Sequence, residues 1–233
     1  WALFFGQIGS LLALVIATYV LHPYRPRLDF DFGKLKELLS FSQWLLGQEA
    51  LNQIVRSTED TLIGRFAGPT DLGLFGKAKA LATAPTSPIV SLINKVSFTS
   101  YARLQDSLEH VIEGMNKTLD ILLALAIPYL IVVLVTGNRI VLLLLGPDWT
   151  ALTPYLQILV VGATFDMLFV TVAASLFNAL GRSRTQFMIS SVYAVSILAG
   201  VFLLVPSLGI LGAALATTFS MALTAMLTLY YIR

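Results

Sequence analysis

Seven apolar segments, each about the length of a membrane span, constrain the fold of this 233-residue chain more than any other feature. A hydrocarbon layer about 30 Å thick is crossed by about 20 helical residues. Within lipid every backbone polar group needs an internal partner, so runs of this length predict α-helices. The sequence therefore predicts an all-α integral membrane protein with seven transmembrane helices. The segments cover residues 2–21, 38–66, 72–98, 119–136, 155–180, 187–205 and 210–232.

Composition agrees with this class and excludes several others. Hydrophobic residues make up 57% of the chain and charged residues only 12%, against roughly 25% charged residues in soluble domains. The net charge of +2 gives no electrostatic basis for binding nucleic acid. Cysteine is absent and the two histidines are far apart, which excludes thiol catalysis and the usual zinc motifs. We expect neither a metal nor a cofactor.

The second segment carries an unusual polar stripe. At 100° per residue, its polar side chains fall within an arc of about 100° on an otherwise apolar helix. A charge at bilayer depth costs roughly 2.5 to 3.5 kcal/mol, so the stripe is expected to line a polar cavity or to pair with other helices. Its members are Glu49, Asn52, Gln53, Arg56 and Asp60.

The second and third segments are expected to form a hairpin that brings opposite charges together. Asp60 and Lys77 each lie about 9 Å from the predicted outer end of their helices, at a rise of about 1.5 Å per residue. Glu59 and Lys79 could join this cluster, although Lys77 and Lys79 point to opposite faces. Such a cluster either serves the function or only fixes helix packing.

Two further ionisable residues lie deeper in the membrane. Arg56 is about 15 Å from the outer end, and its forked guanidinium suits the oxygens of a phosphate or carboxylate. Salt bridges with Glu49 and Asp60 on the same helix are the alternative. Asp166, in the middle of the fifth segment, is either a proton or cation site or a polar anchor for a neighbouring helix.

The regions between the segments predict the organisation of the chain. Residues 104–115 alternate apolar and charged positions at helical spacing, which predicts an amphipathic helix on the membrane surface. Pro85 and Pro88 interrupt the third segment and Pro128 the fourth, and each removes a backbone hydrogen bond. The polar stretch at 22–37 predicts a linker, and the chain begins at Trp1 inside an apolar run, so we expect an amino-terminal part to be missing.

The distribution of basic residues predicts the orientation in the membrane. One side of the alternating segments collects nine and the other side only Arg65 and Arg139. Basic residues favour the cytoplasm, so the carboxyl terminus is predicted to be cytoplasmic. The nine are Arg25, Arg27, Lys34, Lys36, Arg103, Lys117, Arg182, Arg184 and Arg233.

A series of short motifs, in order along almost the whole chain, resembles the Wzx-type polysaccharide flippases, relatives of the multidrug and toxic compound extrusion (MATE) fold. Each motif is short, and it is their order that is specific. Beginning with Arg56 and Asp60, they continue through Ile63–Pro69, Leu72–Phe75, Ser100–Asp106, Leu145–Trp149, Leu156–Leu159, Ala179–Arg182 and Gly209–Thr217.

This resemblance implies two lobes of six helices around a central cavity. Residues 1–21 would be the last helix of the first lobe, 22–37 a cytoplasmic linker between the lobes and 38–233 the second lobe. It also implies a function, which is alternating-access transport of oligosaccharide repeat units linked to undecaprenyl diphosphate across the bacterial cytoplasmic membrane. The expected partners are this lipid-linked substrate, membrane lipids and the missing first lobe.

On this hypothesis the polar stripe faces the cavity. Arg56 is the first candidate for the diphosphate and Lys77 or Lys79 the second, with Asp60 beside them. Glu49, Asn52 and Gln53 are available for sugar hydroxyls and Asp166 for ion coupling. Two alternatives are an ion-coupled drug or cation antiporter of the same fold and a polyprenyl-dependent membrane transferase. The outer loops offer few acids for catalysis, so we expect a transporter rather than an enzyme.

Overall fold

The computed structural model describes residues 2–21, 32–93 and 108–232, and these are helical apart from short turns. A 3-10 helix at Pro147–Leu152 leads into α5, and a π-helical turn at Asp166–Thr171 joins α5 to α6. Residues 87–93 form a further helical segment after α3. The helices are α1 (Ala2–Leu21), α2 (Phe32–Phe66), α3 (Pro69–Thr83), α4 (Leu108–Leu145), α5 (Thr153–Phe165), α6 (Val172–Ala179), α7 (Ser183–Leu208) and α8 (Ile210–Ile232).

Five stretches of the described residues are long and apolar enough to cross a membrane. They are Phe4–Leu21, Ile112–Leu145, Pro147–Asn178, Ser183–Leu208 and Ile210–Ile232. The second predicted segment, in α2, is too polar to be among them, and the third is broken after Thr83. The chain is a multi-pass, all-α membrane protein, as its sequence predicts, whereas the count of seven spans is not confirmed.

The chain divides into two compact units, Trp1–Leu39 and Ser40–Arg233. The first contains α1, and the boundary falls within α2. Residues 22–31 of the predicted linker lie outside the described residues, and α2 begins at Phe32, inside the stretch assigned to that linker. The assignment of these parts to two lobes stays a prediction. The unit Ser40–Arg233 is called the lobe below.

The core of the lobe depends on close helix packing. Ile63 of α2, Phe75 of α3, Leu156 of α5 and Ile197 of α7 are almost completely buried. Glycine permits the closest approach, because a Cβ at Gly212 of α8 would lie 2.4 Å from the Leu204 carbonyl oxygen of α7. Small residues at helix interfaces are the usual way for membrane helices to pack tightly.

The predicted surface helix at 104–115 is wrong for the part that the structure describes. From Leu108 onward these residues are the first turns of α4, which continues to Leu145 over 38 residues. No helix-breaking residue separates Met115 from Leu119, so the amphipathic stretch continues directly into the apolar one. The helix then ends at Gly146, which adopts φ 94° ahead of Pro147, as expected for a residue in the left-handed region.

Candidate functional site

A cavity of about 630 Å³ lies inside the lobe. Its wall is formed by α2, α3, the π-helical turn, α6, α7 and α8. Six of its eleven polar side chains come from the membrane-length stretches Pro147–Asn178, Ser183–Leu208 and Ile210–Ile232, so the site lies beside candidate membrane spans. The polar and charged lining residues are Gln48, Asn52, Arg56, Glu59, Lys79, Asp166, Thr171, Gln186, Ser190, Tyr193 and Thr224.

The face of α2 that lines the cavity differs from the predicted stripe. It consists of residues at steps of three and four along the helix, which lie on one side at about 100° per residue. At 100° per residue, the centre of this face lies about 80° around the helix axis from Glu49. Its members are Gln48, Asn52, Val55, Arg56 and Glu59.

The prediction for α2 is therefore only partly reproduced by the structure. Asn52 and Arg56 lie on the cavity wall. Glu49, Gln53 and Asp60 are exposed and do not line the cavity. The physical reason is that the buried residues Val55 and Ile63 set the rotation of the helix, which the polar positions alone do not reveal.

Opposite charges meet across α2 and α3, but not through the predicted pair. Lys79 Nζ donates to Glu59 Oε2 at 2.7 Å. The expected meeting of Asp60 with Lys77 does not occur, because both side chains are exposed and the opposite faces of their helices pack together. Of the two lysines considered from sequence, Lys79 lines the cavity and Lys77 does not.

The environment of Glu59 explains how a carboxylate is accommodated at this depth. Its side chain is 1% exposed, whereas that of Lys79 is 34% exposed. Thr217 Oγ1 of α8 donates to the Ala213 carbonyl oxygen at 2.9 Å and shares the same hydrogen with Glu59 Oε1 at 3.3 Å. A buried charge is tolerated when it is paired and its remaining oxygen is also satisfied, so this network joins α2, α3 and α8.

Arg56 behaves differently from Glu59. Its side chain is exposed on the cavity wall. Within the described part of the chain it forms no salt bridge, so the alternative of pairing with Glu49 or Asp60 is not realised. The guanidinium therefore presents its donors to the cavity.

Asp166 lies at the start of the π-helical turn and also lines the cavity. Thr171, five residues further on, ends the same turn and also lines the cavity. A π-helical turn brings residues i and i+5 together, and such turns are frequent at functional sites. Tyr193 of α7 lies within electrostatic range of Asp166, Glu59 and Arg56, so the four groups share one environment.

Sequence reasoning missed several cavity residues. Gln186 is 3% exposed, and the buried Oε1 of Gln48 has no hydrogen-bond partner among the residues that the structure describes. Gln48 could have been found, since it lies four residues before Asn52 on the same helical face. Thr224 and Ser190 could not be identified from the sequence, because hydroxyl residues are common in membrane helices. Their hydroxyls often donate to a carbonyl of the preceding turn, as Thr224 does to the Ser220 carbonyl oxygen at 2.6 Å.

Comparison with known proteins identifies the family. Residues 1–154 match the family described as polysaccharide biosynthesis protein. The chain belongs to this family. The resemblance that the sequence motifs carry is thereby confirmed, and the match covers α2, α3 and α4.

Relatives of the polysaccharide biosynthesis protein family agree with this assignment. The chain is 28% identical to the lipopolysaccharide biosynthesis protein WzxC of Escherichia coli over 59% of its own length and 28% of that protein. It is 23% identical to the succinoglycan biosynthesis transport protein ExoT of Rhizobium meliloti, over 68% of its own length and 32% of that protein. The chain thus spans about a third or less of these two relatives.

A solved structure establishes the fold of this family member over most of its length. The inward-facing conformation of a multidrug resistance MATE family transporter of the MOP superfamily superposes with a TM-score of 0.70. The match covers 94% of this chain and 53% of the other, with 13% sequence identity. The chain therefore shares the fold of that structure over 94% of its length, and the structural match extends beyond the residues that the family model covers.

Proposed function

We propose that the chain forms one lobe of a flippase that moves oligosaccharides linked to undecaprenyl diphosphate across the bacterial cytoplasmic membrane. The observation that carries this proposal is Arg56, a guanidinium on the wall of a polar cavity that forms no salt bridge with any residue the structure describes. The relatives named for polysaccharide biosynthesis and transport support the substrate class. The protein acts as a transporter rather than as an enzyme.

The chemistry of the cavity suits a diphosphate. A guanidinium stays charged and offers two parallel donors to a pair of phosphate oxygens. Its cost at bilayer depth falls when it faces a hydrated cavity rather than lipid. These properties support a role for Arg56 in binding the headgroup, while the polyprenyl chain remains in the bilayer.

The neutral polar residues of the cavity suit the sugar. Asn52, Gln48 and Gln186 provide amide donors and acceptors, and Gln48 has an unused buried acceptor. Sugar hydroxyls both donate and accept hydrogen bonds, as amides do. Glu49 and Gln53, which the sequence suggested for this role, are exposed away from the cavity and are not included here.

Transport by this lobe requires a second one. We propose that the cavity wall faces a first lobe of the same protein, that the site opens alternately to the two sides of the membrane and that the carboxyl terminus is cytoplasmic. The excess of basic residues on one side supports this orientation. Asp166, which lies on the same wall, is proposed as the ion-coupling residue.

A cation antiporter of the same fold is the second candidate, and the two acids of the cavity are the observation that favours it. Glu59 already has an ammonium partner at 2.7 Å, which leaves Asp166 as the acid available for an external cation. The formal charges of Arg56, Lys79, Glu59 and Asp166 cancel, so net charge favours neither a cation nor an anion. The relatives named for polysaccharide biosynthesis and transport make the diphosphate the better-supported ligand.

Replacing Arg56 in the complete protein tests the proposal. Arg56→Ala should block export of the surface polysaccharide in cells that lack the native copy, with protein abundance unchanged. Arg56→Lys should retain part of the activity, because it keeps the positive charge but loses the two parallel donors of the guanidinium. The matched control is Arg65→Ala, since Arg65 is exposed and lies outside the cavity. Normal export by Arg56→Ala would refute the proposed role.

A further inference from the structure

The ion pair between Glu59 and Lys79 is unequal in its exposure to the cavity. Glu59 is 1% exposed and also holds the Thr217 hydroxyl, whereas Lys79 is 34% exposed. An ammonium has three donors, and Glu59 is the acceptor of one of them. Lys79 is thus anchored on one side by a buried carboxylate and is accessible from the cavity on the other.

The net charge of the cavity determines how strongly Lys79 can attract an anion. Arg56 and Lys79 are balanced by Glu59 and Asp166, so the cavity has no formal excess of positive charge. A phosphate anion that enters can reach the free donors of Lys79, but Glu59 already neutralises the charge of this ammonium, so the anion competes with the carboxylate for it. The distance of 2.7 Å places the carboxylate in direct competition with any such anion.

We propose that Glu59 is a positioning residue that holds Lys79 at the cavity wall and is displaced by the phosphate oxygens of the substrate. This inference rests on the proposed function and deepens it, since it names the step by which the headgroup is accepted and released. When substrate binds, Lys79 turns from Glu59 to phosphate, and Glu59 keeps the Thr217 hydroxyl. When substrate leaves, Glu59 recovers Lys79 and lowers the affinity of the site.

A pair that serves only packing would respond differently to substitution. Removing the carboxylate of a packing pair leaves a cation without a partner and weakens the fold, which lowers binding and transport together. Removing a competitor instead raises affinity for the anion and slows its release. Glu59→Gln should therefore bind a diphosphate about tenfold more tightly, the effect of about one charge-assisted hydrogen bond.

The test uses the complete protein in nanodiscs with two probes, inorganic pyrophosphate and undecaprenyl diphosphate. Glu59→Gln is expected to bind both probes about tenfold more tightly and Lys79→Gln about tenfold more weakly. Lys77→Gln, on the opposite face of α3, should bind as the wild type does. Tighter binding of undecaprenyl diphosphate alone would show that the lipid headgroup, and not free diphosphate, is the competitor. In transport assays, Glu59→Gln should lower both KM and kcat.

The double variant Glu59→Gln/Lys79→Gln separates competition from a direct effect. If Glu59 acts through Lys79, the affinity of the double variant equals that of Lys79→Gln. The inference would be overturned if the double variant differed in affinity from Lys79→Gln. It would also be overturned if folded Glu59→Gln bound the probes no more tightly than the wild type. If Glu59→Gln does not accumulate, Glu59→Asp is used instead: its shorter carboxylate keeps the charge but weakens the contact with Lys79, so a smaller gain in affinity is expected, and unchanged or weaker binding would overturn the inference.

The result also distinguishes this inference from the proposed function. If the wild type binds neither probe and Arg56→Ala exports normally, both the proposed function and the role of Glu59 are refuted. If the wild type binds and Arg56→Ala loses binding while Glu59→Gln matches the wild type, only the role of Glu59 fails.

Discussion

The Tyr129 hydroxyl of α4 donates a hydrogen bond to the Leu81 carbonyl oxygen of α3 at 2.9 Å. In a continuous helix that carbonyl would accept from the backbone of residue 85, but Pro85 has no N–H. The neighbouring Ala82 carbonyl is also within reach of the hydroxyl, at 3.2 Å. Tyr129 therefore supplies a partner at the point where proline ends α3, and it ties this break to α4.

Removing this hydroxyl should destabilise the protein without changing its shape. Tyr129→Phe leaves the Leu81 carbonyl without its donor in a region with little water, which costs about 1 to 3 kcal/mol. We expect a lower midpoint of thermal unfolding in detergent. Tyr155→Phe is the matched control, because the Tyr155 hydroxyl forms no hydrogen bond within the described ranges. Equal midpoints for the two variants would contradict this role.

Much of the fold could be predicted from the sequence, and the exceptions have physical causes. Membrane-length apolar runs identified α1, α4, α5, α7 and α8, because hydrophobicity over about 20 residues is a strong signal. Pro85 predicts an interruption of the third segment, but Tyr129, the donor to the freed Leu81 carbonyl, lies far away in sequence and gives no signal. The amphipathic start of α4 predicts a separate surface helix, since its pattern does not show whether the helix continues.

The candidate site was less predictable than the fold. Sequence spacing placed polar residues on one side of α2 but could not give the rotation of that helix, which packing decides. Asn52 and Arg56 face the cavity on either rotation, whereas Glu49, Gln53 and Asp60 do not. For the same reason Glu59, and not its neighbour Asp60, forms the ion pair with α3.

The rotation of α2 can be tested with adjacent amides. Asn52→Leu replaces a cavity amide with an apolar side chain and should reduce export by about fivefold or more, the effect of about one lost hydrogen bond. Gln53→Leu changes an exposed residue outside the cavity and should leave export unchanged. The measurement is surface polysaccharide per copy of protein. A larger loss from Gln53→Leu would show that the predicted stripe, not the observed face, lines the site.

The packing of α7 against α8 leads to a prediction for stability. A Cβ at Gly212 would lie 2.4 Å from the Leu204 carbonyl oxygen, so Gly212→Ala forces the helices apart. Overpacking of this kind costs about 1 to 3 kcal/mol and should lower the unfolding midpoint.

Gly76 of α3 provides the control for that substitution. A Cβ there meets no atom within 4 Å, and alanine has the higher helix propensity. Gly76→Ala should therefore leave stability unchanged or raise it by up to about 1 kcal/mol. If Gly212→Ala is as stable as Gly76→Ala, the close approach of the two helices does not exist in the membrane.

Replacing Asp166 and Asp60 separately tests whether Asp166 couples transport to an ion gradient. Asp166 lines the cavity at the π-helical turn, whereas Asp60 is exposed outside it. Asp166→Asn keeps the size of the side chain but removes its charge, so a coupled transporter should lose its response to an imposed proton or sodium gradient. We expect translocation in proteoliposomes to fall at least about tenfold, equivalent to about 1.4 kcal/mol in the barrier. Asp60→Asn should respond to the gradient as the wild type does, because its charge does not face the transported headgroup. If the gradient still stimulates the Asp166→Asn variant, Asp166 serves helix packing instead. A polar amide can replace a carboxylate as a packing anchor, but it cannot carry the coupling charge.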